Sequence, residues 1–296
     1  MNAGVPSRPL LRYLGSKWRL APWIMAHMPP HDIYVEPFGG GASVLLRKPP
    51  CRTEVYNDLD QELVGLFRIL RTAEAKDLIR QLELTPYARA EYCAALEPVG
   101  EPLERARQLI VRSHMGHGTR GTRVDRAAGF RSDGTSGTTR VAGEWADFPE
   151  VLRAIVERLR GVSIEQRPAI DLIDYWDSPE TLFYLDPPYL PATRSAKAKQ
   201  AEGYHVYAHE MTVAEHEELL ERVQSIKGMV LISGYPSRLY DRHLAGWQRH
   251  KTSSRSHRNS PRTELLWLND AAVAALPQRG LFAMPTAAAE EEQEAA

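Results

Sequence analysis

The sequence of 296 residues is long enough for one large domain, or for one domain that carries an insertion. Its hydrophobic content of 43% and charged content of 25% are ordinary for a soluble globular protein. No apolar stretch approaches the length of a membrane span, and the N-terminus lacks the pattern of a signal peptide. Two cysteines, Cys51 and Cys93, do not make a disulfide framework. We therefore expect a cytoplasmic protein that does not contact a membrane.

Charge is unevenly distributed, although the formal net charge is only −1. Residues 105–140 contain eight arginines against two acids, and residues 249–262 contain five Arg or Lys and no acid. Such basic segments are candidates for binding a polyanion. The Ala/Glu run of residues 286–296 is typical of a disordered acidic tail.

The first 71 residues show the alternation of an α/β protein. A strand, a glycine turn, a helix, a strand and a helix follow one another, which favours a right-handed βαβ unit. In chain order, the predicted elements are a helix with Leu20, Trp23, Ile24 and Met28 on one face, a strand Ile33–Phe38, a helix from Ala42 to Leu46, a strand Thr53–Asp58 and a helix with Leu63, Leu66, Phe67 and Leu70 on one face.

The alternation stops after this unit and resumes at Pro149, because residues 116–143 are too polar for a core. We therefore predict one catalytic domain, split into residues 8–71 and 149–285, with an insertion over residues 72–148. The later elements are a helix from Pro149, strands Val162–Gln166 and Thr181–Asp186, a helix opened by the capping box Thr212–Glu215, a strand Met229–Tyr235, and two closing strands, Trp247–Ser253 and Thr263–Asn269.

The turn Asp186-Pro187-Pro188-Tyr189 follows the strand Thr181–Asp186 directly. Two prolines end the strand because neither can donate a ladder hydrogen bond. The turn then offers a carboxylate and proline carbonyls as acceptors, beside an aromatic ring. That set suits a planar ring with an exocyclic amine, whose two N–H groups Asp186 and the Pro187 carbonyl would accept while Tyr189 stacks on its face. On these four residues alone, a purely structural proline turn remains an equal alternative.

The glycine turn Phe38-Gly39-Gly40-Gly41-Ala42 lies between a strand and a helix, where backbone can approach a ligand closely. Asp58 ends the next strand, at a spacing from which a carboxylate reaches ribose hydroxyls in nucleotide-binding α/β folds. The turn matches neither GxGxxG nor GxxxxGK[ST], which disfavours a dinucleotide or ATP. The two features together indicate a compact cofactor that contains adenosine.

Four blocks occur in one order along the chain: Arg12-Tyr-Leu-Gly-Ser-Lys17, Glu36-Pro-Phe-Gly-Gly-Gly-Ala-Ser43, Asn57-Asp58 and Asp186-Pro-Pro-Tyr189. This ordered set resembles the Dam-type DNA adenine-N6 methyltransferases, which use S-adenosylmethionine. The similarity runs from about residue 10 to residue 270 and includes Thr263-Glu-Leu-Leu-Trp267. One position departs from the family pattern Phe-x-Gly-x-Gly, because Ala42 stands where the last glycine usually lies.

The resemblance implies a Rossmann-like fold with a mostly parallel seven-stranded sheet, helices on both faces and an inserted DNA-recognition region. It places Tyr13 and Lys17 at the cofactor, Asp58 on its ribose and Asp186 between cofactor and target base. The implied cofactor-binding residues are Tyr13, Lys17, Glu36, Phe38, Gly39, Gly40, Asp58 and Asp186. The implied catalytic residues are Asp186, Pro187 and Tyr189, without a metal ion.

The target atom cannot be reached inside a stacked duplex, so the adenine must flip out of double-stranded DNA. Arginines of the two basic segments are expected to bind phosphates and guanine edges. The candidates are Arg112, Arg120, Arg123, Arg255 and Arg258. A solvated basic loop is the plain alternative for the first segment. We further expect a cytoplasmic monomer in a bacterial or phage-infected cell. A restriction endonuclease partner, as in a restriction-modification system, and a solitary methyltransferase are both open alternatives.

Other functions are open at this point. A cytosine-N4 methyltransferase shares the chemistry, although that group more often has Ser at the position of Asp186. A protein or free-glutamine methyltransferase would more naturally have Asn there, and a non-catalytic DNA-binding relative would not need Lys17, Asp58 and Asp186 together. Catalysis by Cys51 lacks a group that would activate the thiolate. The histidine pairs 114/117 and 205/209 lack a third metal ligand nearby.

Overall fold

A computed structural model describes residues 5–118, 129–132, 140–190, 209–255 and 261–277, with only the backbone for residues 254, 255 and 261. Seven strands form one sheet in the order β3-β2-β1-β4-β5-β7-β6. Strands β1 to β5 pair in parallel, and β7 pairs antiparallel with both β5 and β6. The strands are β1 (Ile33–Glu36), β2 (Thr53–Asn57), β3 (Val162–Glu165), β4 (Thr181–Leu185), β5 (Met229–Gly234), β6 (Gln248–Arg255) and β7 (Pro261–Leu268).

Helices cover both faces of the sheet, as expected for a Rossmann-like fold. They are α1 (Ala21–Met25), α2 (Gln61–Leu70), α3 (Ala75–Leu84), α4 (Arg89–Ala94), α5 (Pro102–Met115), α6 (Val141–Ala146), α7 (Phe148–Arg158), α8 (Ala169–Trp176), α9 (Val213–Val223), α10 (Arg238–His243) and α11 (Asp270–Ala275), with a 3₁₀ turn Leu159–Gly161 after α7. The mostly parallel seven-stranded sheet predicted through the family resemblance is confirmed. No described helix has the length and apolar character needed to cross a bilayer.

Strand β4 shows how the two cores arise. All five of its residues are buried. Side chains alternate between the faces of a strand, so Leu182 and Tyr184 join the core formed with α2, α3, α5 and α7, whereas Phe183 and Leu185 join the core formed with α8 and α9. A strand covered on both faces needs apolar side chains throughout, which is why residues 181–185 form a continuous apolar run.

Of the predicted helices, one is shorter in the structure and one does not form. The first spans only Ala21–Met25, and Pro29 and Pro30 follow closely. The helix expected from Ala42 to Leu46 is wrong, because this segment forms turns with hydrogen bonds from Leu46 N to Ala42 O and from Lys48 N to Val44 O. Ala42 has a φ of 52°, which a right-handed helix does not allow, and Pro49 prevents continuation.

The segment between α2 and α7 contributes helices, and no strand among its described residues, to the molecule. Helix α5 packs on α2, α3 and α4, so it extends the core formed around α2. An isolated antiparallel β-bridge joins Gly116, just after α5, to Phe130. The division of the chain at residues 72 and 148 stays a prediction.

A buried ionic cluster ties the turn after β1 to β2 and α7. Glu54 binds the Lys48 ammonium at 2.6 Å and both terminal nitrogens of the Arg158 guanidinium at 2.6 and 2.9 Å. Arg158 also donates to the Leu45 carbonyl at 2.6 Å. All three charged side chains are almost completely buried. Each cation therefore depends on one carboxylate for its compensation.

Candidate active site

A cavity of about 210 Å³ opens at the carboxyl ends of β1, β2 and β4. In open α/β sheets this edge is where ligands bind, because the loops that leave parallel strands converge there. The N-terminal segment before α1 forms another wall of the cavity. Of the residues that the sequence predicts to bind the cofactor, the lining includes all eight: Tyr13, Lys17, Glu36, Phe38, Gly39, Gly40, Asp58 and Asp186.

The backbone of the glycine turn is held against β2 by two hydrogen bonds, and there is no room for a side chain at Gly39. Gly39 N donates to Asn57 O at 2.8 Å, and the Tyr56 hydroxyl donates to Gly40 O at 2.8 Å. A Cβ on Gly39 would lie 2.3 Å from the Tyr56 ring. Gly40 has a φ of 50°, a left-handed conformation that favours glycine. These contacts give the steric reason for the glycines at positions 39 and 40.

Ala42 occupies the position where the family pattern has its last glycine. Its φ of 52° lies in the left-handed region, and the residue is fully buried in the core. Gly41 and Ser43 line the cavity, whereas Ala42 is absent from the lining. The Ala42 methyl group therefore packs away from the cavity, and its cost is backbone strain.

Replacing Ala42 with glycine is expected to change the stability of the fold by less than about 1 kcal/mol. Relief of the left-handed strain is worth about 1–2 kcal/mol. Two costs oppose it: the greater freedom of glycine in the unfolded chain, roughly 0.5–1 kcal/mol, and the loss of a buried methyl group, about 0.8 kcal/mol. Glycine at Ala106, a buried alanine of α5 without positive φ, is the control and should lose about 1.5 kcal/mol in urea unfolding. A loss at Ala42 as large as the loss at Ala106 would contradict the strain argument.

Two carboxylates line the cavity, Glu36 at the end of β1 and Asp58 directly after β2. Glu36 accepts from the Tyr34 hydroxyl at 2.6 Å and from Leu45 N at 2.8 Å, and burial raises its pKa to about 7. Asp58 accepts from Gly40 N and from Asp60 N, each at 2.8 Å, and burial raises its pKa as well. Asp58 therefore fixes the glycine turn in addition to lining the cavity.

Lys17 and Asp186 form an ion pair at the inner end of the cavity. The Lys17 ammonium lies 2.9 Å from each oxygen of the Asp186 carboxylate, and Lys17 is only 4% exposed. Burial by itself lowers the pKa of Lys17, but the charges of Asp186 and Glu264 outweigh it and raise the pKa well above its ordinary value. Lys17 therefore stays charged and fixes the position of the Asp186 side chain.

A pair of hydroxyl groups also positions Asp186. Ser233, at the end of β5, donates from Oγ to Asp186 Oδ1 at 2.9 Å. The Tyr184 hydroxyl lies 3.0 Å from the same Oγ, so it supplies the hydrogen that Ser233 accepts. Sequence reasoning missed Ser233 and Tyr184, because a buried apolar strand gives no local signal for one polar contact between neighbouring strands.

Tyr189 contacts residues from three separate parts of the chain. Its hydroxyl accepts a short hydrogen bond from the Lys17 ammonium and donates to Glu264 Oε2 at 3.3 Å. Its ring packs on Tyr235 with a centroid distance of 4.2 Å. Sequence analysis noted Glu264 only within the similarity block 263–267 and assigned it no role, and it missed Tyr235.

The prediction that Arg112 contacts DNA is wrong in this structure. Arg112 is 2% exposed inside α5, where it donates to the Ala95 carbonyl at 3.0 Å and to Glu62 at 2.9 Å. The arginine joins α5 to α2 and α4, so it cannot reach a base edge. Its place near the end of an apolar helical pattern hid this role, since charge alone suggested exposure. Arg120, Arg123 and Arg258 lie outside the described residues, and for Arg255 only its backbone, on β6, is described.

The described residues contain no group of three or more side chains that could hold a metal ion. His114 is half-buried and hydrogen-bonds to the Leu10 carbonyl at 3.0 Å, and desolvation lowers its pKa to about 4. This histidine therefore joins α5 to the N-terminal segment. Burial also raises the pKa of Cys51, which is the opposite of what an activated thiolate requires.

The fold is that of an α/β protein with a ligand cavity at the carboxyl ends of its parallel strands, and comparison with known proteins identifies its class. Residues 13–242 match the D12 class of N6 adenine-specific DNA methyltransferases. The match covers well over half of the chain, so the protein belongs to this family and its activity is adenine-specific DNA methylation.

Individual relatives agree with the family. The DNA adenine methylases of Salmonella typhi and Salmonella typhimurium are each 25% identical to this chain over 241 residues, which is 79% of this chain and 82% of each relative. Among solved structures, an rRNA methylase from Streptococcus thermophilus covers 87% of this chain and 98% of its own, with 9% identity and a TM-score of 0.33.

Proposed function

We propose that the cavity binds S-adenosylmethionine and that the Asp186 turn receives an adenine flipped out of double-stranded DNA. The charge of the cavity carries this proposal. Its only lysine, Lys17, is already paired with Asp186, so acids dominate the lining among the described residues. A phosphate-bearing cofactor would be repelled, whereas a sulfonium is attracted. The acids of the lining are Glu36, Asp58, Asp60, Asp186, Glu210 and Glu215.

The residues present fit this cofactor. Asp58 retains acceptor capacity for ribose hydroxyls beyond its two backbone hydrogen bonds. Tyr13 and Phe38 offer aromatic surface for an adenine ring, and the glycine turn lets backbone approach closely. When bound, S-adenosylmethionine supplies an electrophilic methyl group, so no covalent enzyme intermediate is needed.

The role proposed for Asp186 is to accept a hydrogen bond from the adenine amine. The nitrogen lone pair is delocalised into the ring, which makes N6 a poor nucleophile. Acceptors at Asp186 and at the Pro187 carbonyl would draw the amine hydrogens out of plane and localise the lone pair. The carboxylate charge would also stabilise the positive charge that develops on N6. Lys17 and Ser233 hold the carboxylate in one orientation, so little reorganisation is required.

Tyr189 is proposed to replace part of the stacking that the flipped base loses. Tyr235 packs against the Tyr189 ring, which restricts the motion of that ring.

Purified protein incubated with duplex DNA and labelled S-adenosylmethionine should form N6-methyladenine, detected by nucleoside analysis. Incorporation into cytosine N4 alone would contradict the assignment of the base pocket. Calorimetric titration with S-adenosylmethionine in the absence of DNA should show binding, and no binding would contradict the assignment of the cavity.

Sequence recognition is proposed to lie in residues 117–140, after helix α5. Arginines that read base edges set specificity, whereas arginines on phosphates set affinity and salt dependence. Alanine at Arg120 or Arg123 is therefore expected to relax the choice of methylated sequence. Alanine at Arg255 should instead weaken DNA binding evenly and lower the salt slope. Deleting the whole basic segment, residues 105–140, would also remove most of α5, which belongs to the core. The test therefore uses point variants.

The measurement is the methylation rate on a set of duplexes that differ from the preferred site by one base pair. Arg153→Ala, an exposed arginine on α7 that pairs with Glu83 and Glu150, is the control and should leave the preference unchanged. Unaltered preference in both Arg120→Ala and Arg123→Ala would contradict the recognition role. The expectations of a monomer, of cytoplasmic action and of a restriction endonuclease partner stay predictions.

A further inference from the structure

Glu264 is a buried carboxylate inside the site that the mechanism above does not use. It lies on β7, the strand that runs antiparallel to β5, and it is only 5% exposed. A buried carboxylate is costly unless donors and positive charge compensate it. Its Oε2 accepts the hydrogen of the Tyr189 hydroxyl, and its charge raises the pKa of Lys17 against the opposing effect of burial. Glu264 thus interacts with the Asp186 turn and with the lysine that pairs with it.

The direction of the hydrogen bonds around Tyr189 is fixed by chemistry. A lysine ammonium can only donate, so the Tyr189 oxygen must accept from Lys17. The single hydroxyl hydrogen of Tyr189 is then donated to Glu264. The Lys17 ammonium also donates to Asp186. Two hydrogen-bonded branches therefore start at Lys17: one ends at Asp186, and the other passes through the Tyr189 hydroxyl and ends at Glu264.

Strand β7 also holds the ring that packs on Tyr189. Arg262, two residues before Glu264 and therefore on the same face of the strand, donates to the Tyr235 hydroxyl at 2.8 Å. The guanidinium also lies 5.2 Å from the centroid of the Tyr235 ring. Tyr235 covers Tyr189 with the two rings tilted by 36°. One strand thus anchors the hydroxyl ends of both tyrosines.

We propose that Glu264 is a positioning residue for methyl transfer, which acts by fixing the hydroxyl of Tyr189 between Lys17 and β7. This inference rests on the proposed role of the Asp186 turn. Glu264 does not touch the reacting atoms. It sets the orientation of the Tyr189 ring and the position of the Lys17 ammonium, so its effect should fall on kcat. A merely structural carboxylate would affect the amount of folded protein and leave the rate of the folded enzyme unchanged.

A double-mutant cycle tests whether Glu264 acts through the Tyr189 hydroxyl. Glu264→Ala is expected to lower kcat about tenfold while the KM for S-adenosylmethionine changes by less than about threefold. Tyr189→Phe, which keeps the ring, should cause a similar loss. The double variant should be no slower than the slower single variant, because both changes break the same contact. Glu264→Gln should recover part of the rate, since its amide oxygen still accepts the Tyr189 hydrogen.

Glu54→Gln is the control, because it neutralises another buried carboxylate far from the Asp186 turn. It should lower stability and leave the kcat of the folded enzyme unchanged. If the kcat losses of Glu264→Ala and Tyr189→Phe multiply in the double variant, the proposal is overturned. If Glu264→Ala does not fold, Tyr189→Phe decides alone, and full kcat in that variant would also overturn it. Failure of the wild-type enzyme to methylate adenine would instead refute the proposed function.

Discussion

Alanine at position 186 is expected to lower kcat by at least about a hundredfold, the range seen when a group that stabilises transition-state charge is removed. Asp186 accepts hydrogen bonds from Lys17 and from Ser233, so its side chain is oriented before the substrate arrives. Single-turnover methylation of a duplex with labelled S-adenosylmethionine measures the effect. Asp186→Asn keeps the shape of the side chain and should lose a comparable factor, because an amide lacks the negative charge.

Asp58→Ala is the matched comparison, since it removes a carboxylate at the other end of the same cavity. It should raise the KM for S-adenosylmethionine and largely retain kcat, because its contacts persist from ground state to transition state. Asp186→Ala also leaves the Lys17 charge without its nearest partner, so circular dichroism must first show a folded protein. More than about a tenth of wild-type activity, equivalent to losing under about 1.4 kcal/mol, would rule out the proposed role of Asp186.

The largest effect on stability is expected at Glu54. Replacing it with alanine leaves both Lys48 and Arg158 buried without a carboxylate. Breaking a buried ion pair in this way costs about 3–5 kcal/mol. Urea unfolding at neutral pH should show this loss as a lower midpoint with an unchanged slope.

Glu157→Ala is the control for that experiment. Glu157 pairs with Arg160 at 3.0 Å on the surface, and such pairs contribute about 0–1 kcal/mol. A loss at Glu54 no larger than the loss at Glu157 would mean that water or another group compensates the two buried cations. The cluster would then not be the device that joins β2 to α7.

The parts of the fold that follow from local patterns could be predicted from the sequence. Apolar runs located the strands, and the Thr212–Glu215 capping box located the start of α9. The absence of a regular helix after Gly41 could not be predicted, because the apolar spacing of residues 42–46 is compatible with a helix. The left-handed backbone at Ala42 decides otherwise, and it is set by the packing of the turn against β2.

The residues of the candidate site also fall into two groups, those that the sequence could predict and those that it could not. Motifs located Lys17 and Asp186, whereas Glu264 and Ser233 act through contacts with Asp186 and Tyr189 that no local pattern records. Arg112 shows the reverse error, because a charged residue near a helix end suggested exposure. Its guanidinium is buried only because Glu62 and the Ala95 carbonyl approach from other helices.

The spacing of the contacts along the chain has a consequence for synthesis of the enzyme. Gly40 and Asp58 are 18 residues apart, so the glycine turn can close early on the ribosome. Lys17 pairs with Asp186, which is synthesised 169 residues later. At about 5–20 residues per second, this delay is on the order of ten to thirty seconds. A nascent chain that stops before Asp186 therefore carries the closed glycine turn while Lys17 still lacks its carboxylate partner, and the cavity cannot be completed before about two thirds of the chain has been made.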